Sequence, residues 1–444
     1  MTVPISERRR RDVINALRRG TVPSNGLDVL AVGLDRFEAA VDDELSTVVD
    51  GGAVFKAVRG EYGSGKTFFS RWLAERAKRR GLATAEVQIS ETETPLHRLE
   101  TVYRRITENL STEEFQPSAL RPVLDAWLFT LEEDVLATGT VAESDAAGLD
   151  QAVGALMERR LGDIAKSAPT FAAALRGYRT AVATGDSATA EGLASWLGGQ
   201  PHVAAAVRRT AGVKGELDHY GAFGFLQGLL TVLRDCGHPG LLVILDEVET
   251  LQRMRSDVRD KALNALRQLI DEIDKGRFPG LYLVITGTPA FFEGNQGVQR
   301  LPPLAQRLAT DFTTDARFDN PRAVQIRLPG FTLDGLRELG ARVRDLFVVG
   351  LPDAARICST VDDAYLAVLA TAVAGQLGGK VGVAPRVFLK KLVADVLDRV
   401  ELHPDFDPRR HYELTVAVSE LTEVERNAAG LTIRSVDDID LPLP

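Results

Sequence analysis

The string Gly60-Glu-Tyr-Gly-Ser-Gly-Lys66-Thr67 constrains this chain more than any other feature, because it satisfies G-x-x-x-x-G-K-[ST] in the setting that pattern needs. A short β-prone run, residues 53–58, precedes it. An amphipathic helix is predicted over 68–80, stopped by Gly81. The glycines let successive backbone N–H groups wrap phosphate oxygens at a helix N-terminus, where the peptide dipoles favour negative charge. Gly60, Glu61, Tyr62, Gly63, Ser64, Gly65, Lys66 and Thr67 therefore form a candidate nucleotide cradle. Lys66 is expected to neutralise the β/γ-phosphates and Thr67 to set its hydroxyl on Mg²⁺. The bland alternative, a chance glycine turn before a helix, is disfavoured by the flanking strand and helix.

A phosphate loop alone does not separate a kinase from a hydrolase, so the second apolar run matters. Leu241-Leu-Val-Ile-Leu245 has the continuous apolar pattern of a buried parallel strand and ends in Asp246-Glu247. Strand ends of this kind point side chains at the ligand. Asp246 suits a contact with Mg²⁺, and Glu247 suits a general base that polarises water. The competing role for Asp246 is a helix N-cap. A third run, 281–285, ends in Thr286-Gly-Thr288-Pro289, where a hydroxyl between the first two motifs would orient the lytic water; the pattern does not separate Thr286 from Thr288. Arg307 and Arg386 complete the set as candidates to meet the γ-phosphate, from the same subunit or a neighbour. No acceptor-binding motif of a kinase is evident.

The rest of the chain fits around this core. Its 444 residues are long enough for two or three domains, and a net charge of −9 argues against a wholly basic nucleic-acid-coating surface. Cys236 and Cys358 lie far apart, without ligand or redox spacing, as expected in a reducing compartment. The opening MTVPISERRRRDV has no apolar signal core, and no long uncharged apolar run follows. A cytoplasmic protein with no membrane partner is expected. The expected fold class is α/β, with a parallel sheet carrying helices on both faces. A basic N-terminal segment (1–30) leads into the first part of the core (31–96). A large helical insert (97–220) interrupts it, and the second part (221–330) is followed by a helical domain (331–402) and an unassigned segment (403–444). Arg8 to Arg11 with Arg18 and Arg19, and Lys78-Arg79-Arg80, are the basic clusters available for nucleic-acid phosphates. No aromatics are interleaved with them for base stacking.

The ordered set of phosphate loop, strand with Asp-Glu, Thr-ended strand, Arg307, a further strand at 324–328 and Gly382-x-x-Pro-Arg386 resembles an AAA+ ATPase of the origin-recognition or STAND-like branch. That resemblance implies an AAA+ core with an all-α lid. It makes Thr286 the first sensor, Arg307 an arginine finger supplied in trans within a homo-oligomer, and Arg386 a second sensor on the lid. Val32 and Gly33 would belong to the adenine-contacting segment. Arg59-Gly-Glu-Tyr-Gly-Ser-Gly-Lys-Thr-Phe-Phe69, Ala16-Leu-Arg-Arg-Gly20 with Val22-Pro23, and Leu245-Asp-Glu-Val-Glu249 also resemble the BREX phage-defence ATP-binding proteins of BrxD type. This implies ATP and Mg²⁺ as cofactors and an ATPase working beside other BREX components, with DNA met directly or through them. Two departures stand out. Residues 401–444 are too few for the winged-helix domain usual in the origin-recognition branch, and Lys66 and Asp246 are 180 residues apart. The insert fills that gap and offers a partner-docking surface, or merely buttresses the core. The alternative to a DNA-coupled ATPase is therefore a slow nucleotide-gated, STAND-like switch that signals through the insert.

Overall fold

The computed structural model describes residues 6–378, 382 and 384–430. Five strands form one parallel sheet: β1 (Val54–Arg59), β2 (Ala83–Gln88), β3 (Leu241–Asp246), β4 (Leu281–Gly287) and β5 (Gln325–Arg327), in the order β2-β3-β4-β1-β5. The β1-loop-helix unit therefore does not neighbour the Asp-Glu strand; β4 lies between them. The strand expected at 324–328 is shorter, because β5 is an edge strand that pairs only with the end of β1.

Side chains alternate across each strand and so feed two cores. Leu241, Val243 and Leu245, with Leu281, Leu283 and Ile285, face one layer. Leu242, Ile244, Tyr282 and Val284 face the other, where α2 (Asp35–Val49) and α3 (Lys66–Arg79) contribute Phe37, Phe69 and Trp72. Both faces of every inner strand are buried, which explains why the strands read as unbroken apolar runs. A third core joins α1 (Glu7–Arg18) to the helices after β5. Val13, Ile14 and Leu17 pack there, so the basic N-terminal segment is docked on the C-terminal helical layer.

The insert is helical, as its composition predicts: α4 (Leu99–Glu108), α5 (Leu120–Ala137), α6 (Ala146–Ser167), α7 (Pro169–Ala183), α8 (Ser187–Leu197) and α9 (Ala205–Thr210), leading into α10 (His219–Asp235). Its interior is continuous with the core under the sheet: Trp127, Phe171 and Leu193 belong to the same cluster as Val243. Tyr103 of α4 sits edge-on to Phe225 of α10 at 5.7 Å, so the start of the insert is part of the layer covering the sheet. After β3 come α11 (Ser256–Asp274), α12 (Pro289–Glu293) and α13 (Pro302–Arg307). The C-terminal layer holds α14 (Leu333–Val348), α15 (Ala354–Thr360), α16 (Asp363–Gln376) and α17 (Pro385–Lys390), the last running through a π-helical stretch, Lys391–Leu397, into α18 (Asp398–Leu402). Within the helical domain expected over 331–402, α16 begins at Asp363, because the Asp362 side chain caps it by accepting the Tyr365 amide at 2.8 Å.

The segment left unassigned in the sequence has structure up to residue 430. It carries α19 (Pro408–His411) and α20 (Glu423–Ala428), and residues 431–444 lie outside the described residues. Tyr412, Leu414, Val416 and Leu421 pack against the third core. Among the described residues no single helix is long and apolar enough to cross a membrane.

Candidate nucleotide-binding site

A cavity of about 430 Å³ opens where the C-terminal ends of β1 and β3 meet α3 and the C-terminal helical layer. This is the place a parallel sheet presents its functional side chains. Tyr62, Gly63, Gly65, Lys66 and Thr67 line it from the loop, and Asp246, Glu247 and Glu249 from the end of β3.

The loop's glycines are there for geometry. Gly63 and Gly65 have φ of 80° and 91°, which L-residues rarely adopt, and a Cβ at Gly60 would overlap Ser64 Oγ. Gly60 N donates to Gly287 O at 3.1 Å, tying the loop to the end of β4. Lys66 opens α3, is 8% exposed, and turns its Nζ back to the carbonyls of Gly60 (2.9 Å) and Glu61 (3.2 Å). Burial lowers the Lys66 pKa, and the surrounding carboxylates, Glu249 first and then Asp246, partly restore it. An ammonium that has shed water and faces a cavity is ready to take an anion. The first turn of α3 leaves amides without intrahelical partners at the same point. Glu61 contributes its carbonyl, and Ser64 is a buried member of the loop.

Thr67, Asp246, Thr286 and Glu247 form one connected set. Thr67 Oγ1 donates to Asp246 Oδ2 at 3.4 Å, and Thr286 Oγ1 donates to Asp246 Oδ1. The Glu247 amide donates to Asp246 Oδ1 at 3.0 Å and lies 3.4 Å from Thr286 Oγ1. Thr286 is fully buried at the end of β4, between the loop strand and the Asp-Glu strand. Geometry thus separates the two threonines that pattern left equal, because Thr288 instead precedes α12 at its N-cap. Glu247 has φ 60° and ψ 41°, a left-handed conformation costing a non-glycine residue about 1–3 kcal/mol. Its side chain lines the cavity beside Asp246. Thr67 and Asp246 supply hard oxygen donors of the kind Mg²⁺ prefers, so the residues present fit that ion.

Three contributors were not predicted. Gln88 ends β2 in register with Asp246, and its Nε2 donates to Glu247 Oε2 at 2.8 Å. Its position at a strand's C-terminal end was the available signal. Glu249 lines the cavity, is 5% exposed, and neither carboxylate oxygen has a hydrogen-bond partner among the described residues. Burial raises its pKa. The N-terminal wall is Leu17, Gly20, Thr21, Val22, Pro23 and Leu30, and with Phe68, Leu339 and Leu389, which also line the cavity, it makes an apolar slot suited to a base.

Two expected members lie elsewhere. Val32 and Gly33 are not among the lining residues. The 3-10 turn Leu27–Leu30 turns Leu30 into the cavity and carries Val32 onward to pack beside α14. Arg307, at the end of α13, is also away from the cavity of its own chain; it pairs with Asp271 at 2.5 Å and donates to Pro303 O at 3.1 Å. Arg386 does line the cavity, at the start of α17, although Val383 of its motif lies outside the described residues.

The two basic clusters also separate. Arg79 and Arg80 pair with Asp28 and Asp42, and Lys78 donates to Ser111 Oγ at 2.6 Å. Arg8, Arg9 and Arg19 stay exposed.

The family model described as BREX system ATP-binding protein BrxC/D matches residues 5–416. No curated protein matches the chain.

Proposed function

The chain belongs to the BREX system ATP-binding protein family, and from that premise we propose that it is a Mg²⁺-dependent ATPase of AAA+ type. The observation that carries this reading is the connected set Thr67–Asp246–Thr286–Glu247 beside Lys66. A binder alone needs the loop, Lys66 and the metal donors. A carboxylate held beyond Asp246 and anchored by Gln88 is what water activation requires.

In this mechanism the amides of the loop and Lys66 bind the β/γ-phosphates. Thr67 and Asp246 would hold Mg²⁺, which when bound would supply neutralisation of phosphate charge. Glu247 accepts the proton of the attacking water, and Thr286 fixes Asp246 and the water's position. Arg386 reaches the γ-phosphate from the helices after β5, which act as the lid, and Arg307 serves a neighbouring subunit of a homo-oligomer. The exposure of Arg307 away from its own cavity supports the trans role.

Turnover is coupled to assembly or remodelling on DNA beside other BREX components in the cytoplasm. For direct DNA contact the exposed Arg8, Arg9 and Arg19 are the groups to consider, since the second cluster is already paired. A nucleotide-gated switch is the second reading, favoured by the ion pair with Glu425 that already engages Arg386. Steady-state ATP hydrolysis with and without duplex DNA, at low and moderate salt, separates the two. DNA stimulation that fades with salt supports the motor. Slow turnover indifferent to DNA supports the switch. Lys66→Ala should abolish ATP binding in a folded protein, and unchanged affinity there would overturn the site itself.

A further inference from the structure

The cavity is closed on its C-terminal side by a carboxylate. Thr422 and Glu425, from the segment that follows the helical layer, line it together with Arg386. A reciprocal capping box fixes them: the Glu425 amide donates to Thr422 Oγ1 at 3.3 Å, and Glu425 Oε2 accepts the Thr422 amide at 2.7 Å. Glu425 is 4% exposed.

Its charge partner is Arg386. Arg386 Nε donates to Glu425 Oε1 at 2.9 Å and Nη2 donates to Oε2, while Nη2 also reaches Glu420 O at 2.5 Å. Glu420 takes Lys390 Nζ at 2.7 Å and Lys391 Nζ at 2.9 Å. One short segment therefore engages all three cations at the start of this helix. Leu421, between the two carboxylates, anchors it in the third core. On the opposite side Gly20 (φ 70°) makes room for the guanidinium, since a Cβ there would lie 3.3 Å from Nη1.

A guanidinium fork binds a carboxylate and a phosphate with the same two parallel donors, so the two anions exclude each other at Arg386. Simply opening such a pair would strand a buried charge, whereas exchanging one anion for another does not. We propose that residues 417–430 are an intramolecular competitor of the nucleotide: Glu425 holds Arg386 in place of the γ-phosphate, and ATP binding displaces the segment. This rests on the reading of Arg386 as a phosphate-facing residue. By linkage, a partner that draws the segment away tightens ATP binding by the same factor with which ATP releases the segment.

The test measures binding of a non-hydrolysable ATP analogue and of ADP to the full chain. Glu425→Gln, nearly isosteric but uncharged, should tighten the analogue about tenfold, within the usual range of such couplings. It should change ADP affinity less, and have no effect in an Arg386→Ala background. The analogue should also speed tryptic cleavage at the exposed Arg426 in the unmodified chain. Unchanged or weakened analogue affinity in Glu425→Gln overturns the proposal, because Glu425 would then position Arg386 for nucleotide. Should that variant melt early, Glu420→Gln, which releases Lys390 and Lys391 and so loosens the same segment, should likewise tighten the analogue, and unchanged or weakened affinity there overturns the proposal. Lys66→Ala separates the layers. If it leaves analogue binding intact, the site reading has failed; if it abolishes binding while both carboxylate variants do nothing, only this inference has failed.

Discussion

Glu247→Gln tests the assignment most sharply, because the structure bounds both what it should remove and what it should leave. Gln keeps the shape, and its amide oxygen can still accept from Gln88 Nε2, now at 2.8 Å from Oε2. The Asp246–Thr286–Thr67 bonds do not involve the side chain that changes. What is lost is a proton acceptor, worth about 10²–10⁴-fold in turnover, or roughly 3–5 kcal/mol of barrier. Binding should move the other way. Lys66 is surrounded by Glu249, Asp246, Glu61 and Glu247, all of which repel a triphosphate. Neutralising one of them relieves about 1 kcal/mol or less between solvated charges a few ångströms apart, so ATP should bind about two- to fivefold tighter. The assay pairs steady-state phosphate release with calorimetric ATP titration on the same preparation. Turnover within threefold of the unmodified chain would refute Glu247 as the base. Lost ATP binding would instead mark it as a structural support. Glu247→Gly adds a control from the backbone. At φ 60° the left-handed penalty of about 1–3 kcal/mol disappears, partly offset by about 0.5–1 kcal/mol of glycine entropy. That variant should be inactive yet no less stable, and a clear drop in its thermal midpoint would contradict the strain argument.

Two further expectations follow from charges nearby. Burial raises the pKa of Glu249, so in the nucleotide-free protein its contribution to stability is greatest at low pH and falls as pH rises from the ordinary carboxylate value through the raised one. Glu249→Gln should therefore stabilise the apo chain by about 1–3 kcal/mol at pH 8, where an unpartnered buried carboxylate is removed, and much less at pH 5. Chemical denaturation at the two pH values measures this, and an equal shift at both would sink it. Arg307→Ala should retain ATP affinity but hydrolyse up to about 10³-fold more slowly, with rescue when mixed with a Glu247→Gln chain that still carries Arg307. Slow hydrolysis without rescue in assembled mixtures would assign the residue to its Asp271 pair within one chain.

What could be read from the linear chain was whatever is encoded within a few residues. The phosphate loop is one continuous string, and each inner strand is an apolar run because both its faces are buried, so the α/β class and the places of β1, β3 and β4 followed directly, their bounds to within one or two residues. The helical nature of 97–220 was equally local, being a matter of composition and period. Tertiary structure alone decided the rest, and for one physical reason: the site is assembled from strand ends and segments distant in sequence. Inserting β4 between β1 and β3 is what sets Thr286, and not Thr288, against Asp246, although the two residues have the same local chemistry. Register across β2 and β3 brings Gln88 to Glu247, although 159 positions separate them. Docking α1 on the third core makes Leu17 and Gly20–Pro23, rather than Val32 and Gly33, a wall of the cavity. The Arg386–Glu425 pair arises where an acidic segment with no strong periodicity folds back over a basic helix. Neither residue announces the other, since an ion pair has no sequence signature until packing removes the water that would otherwise screen it.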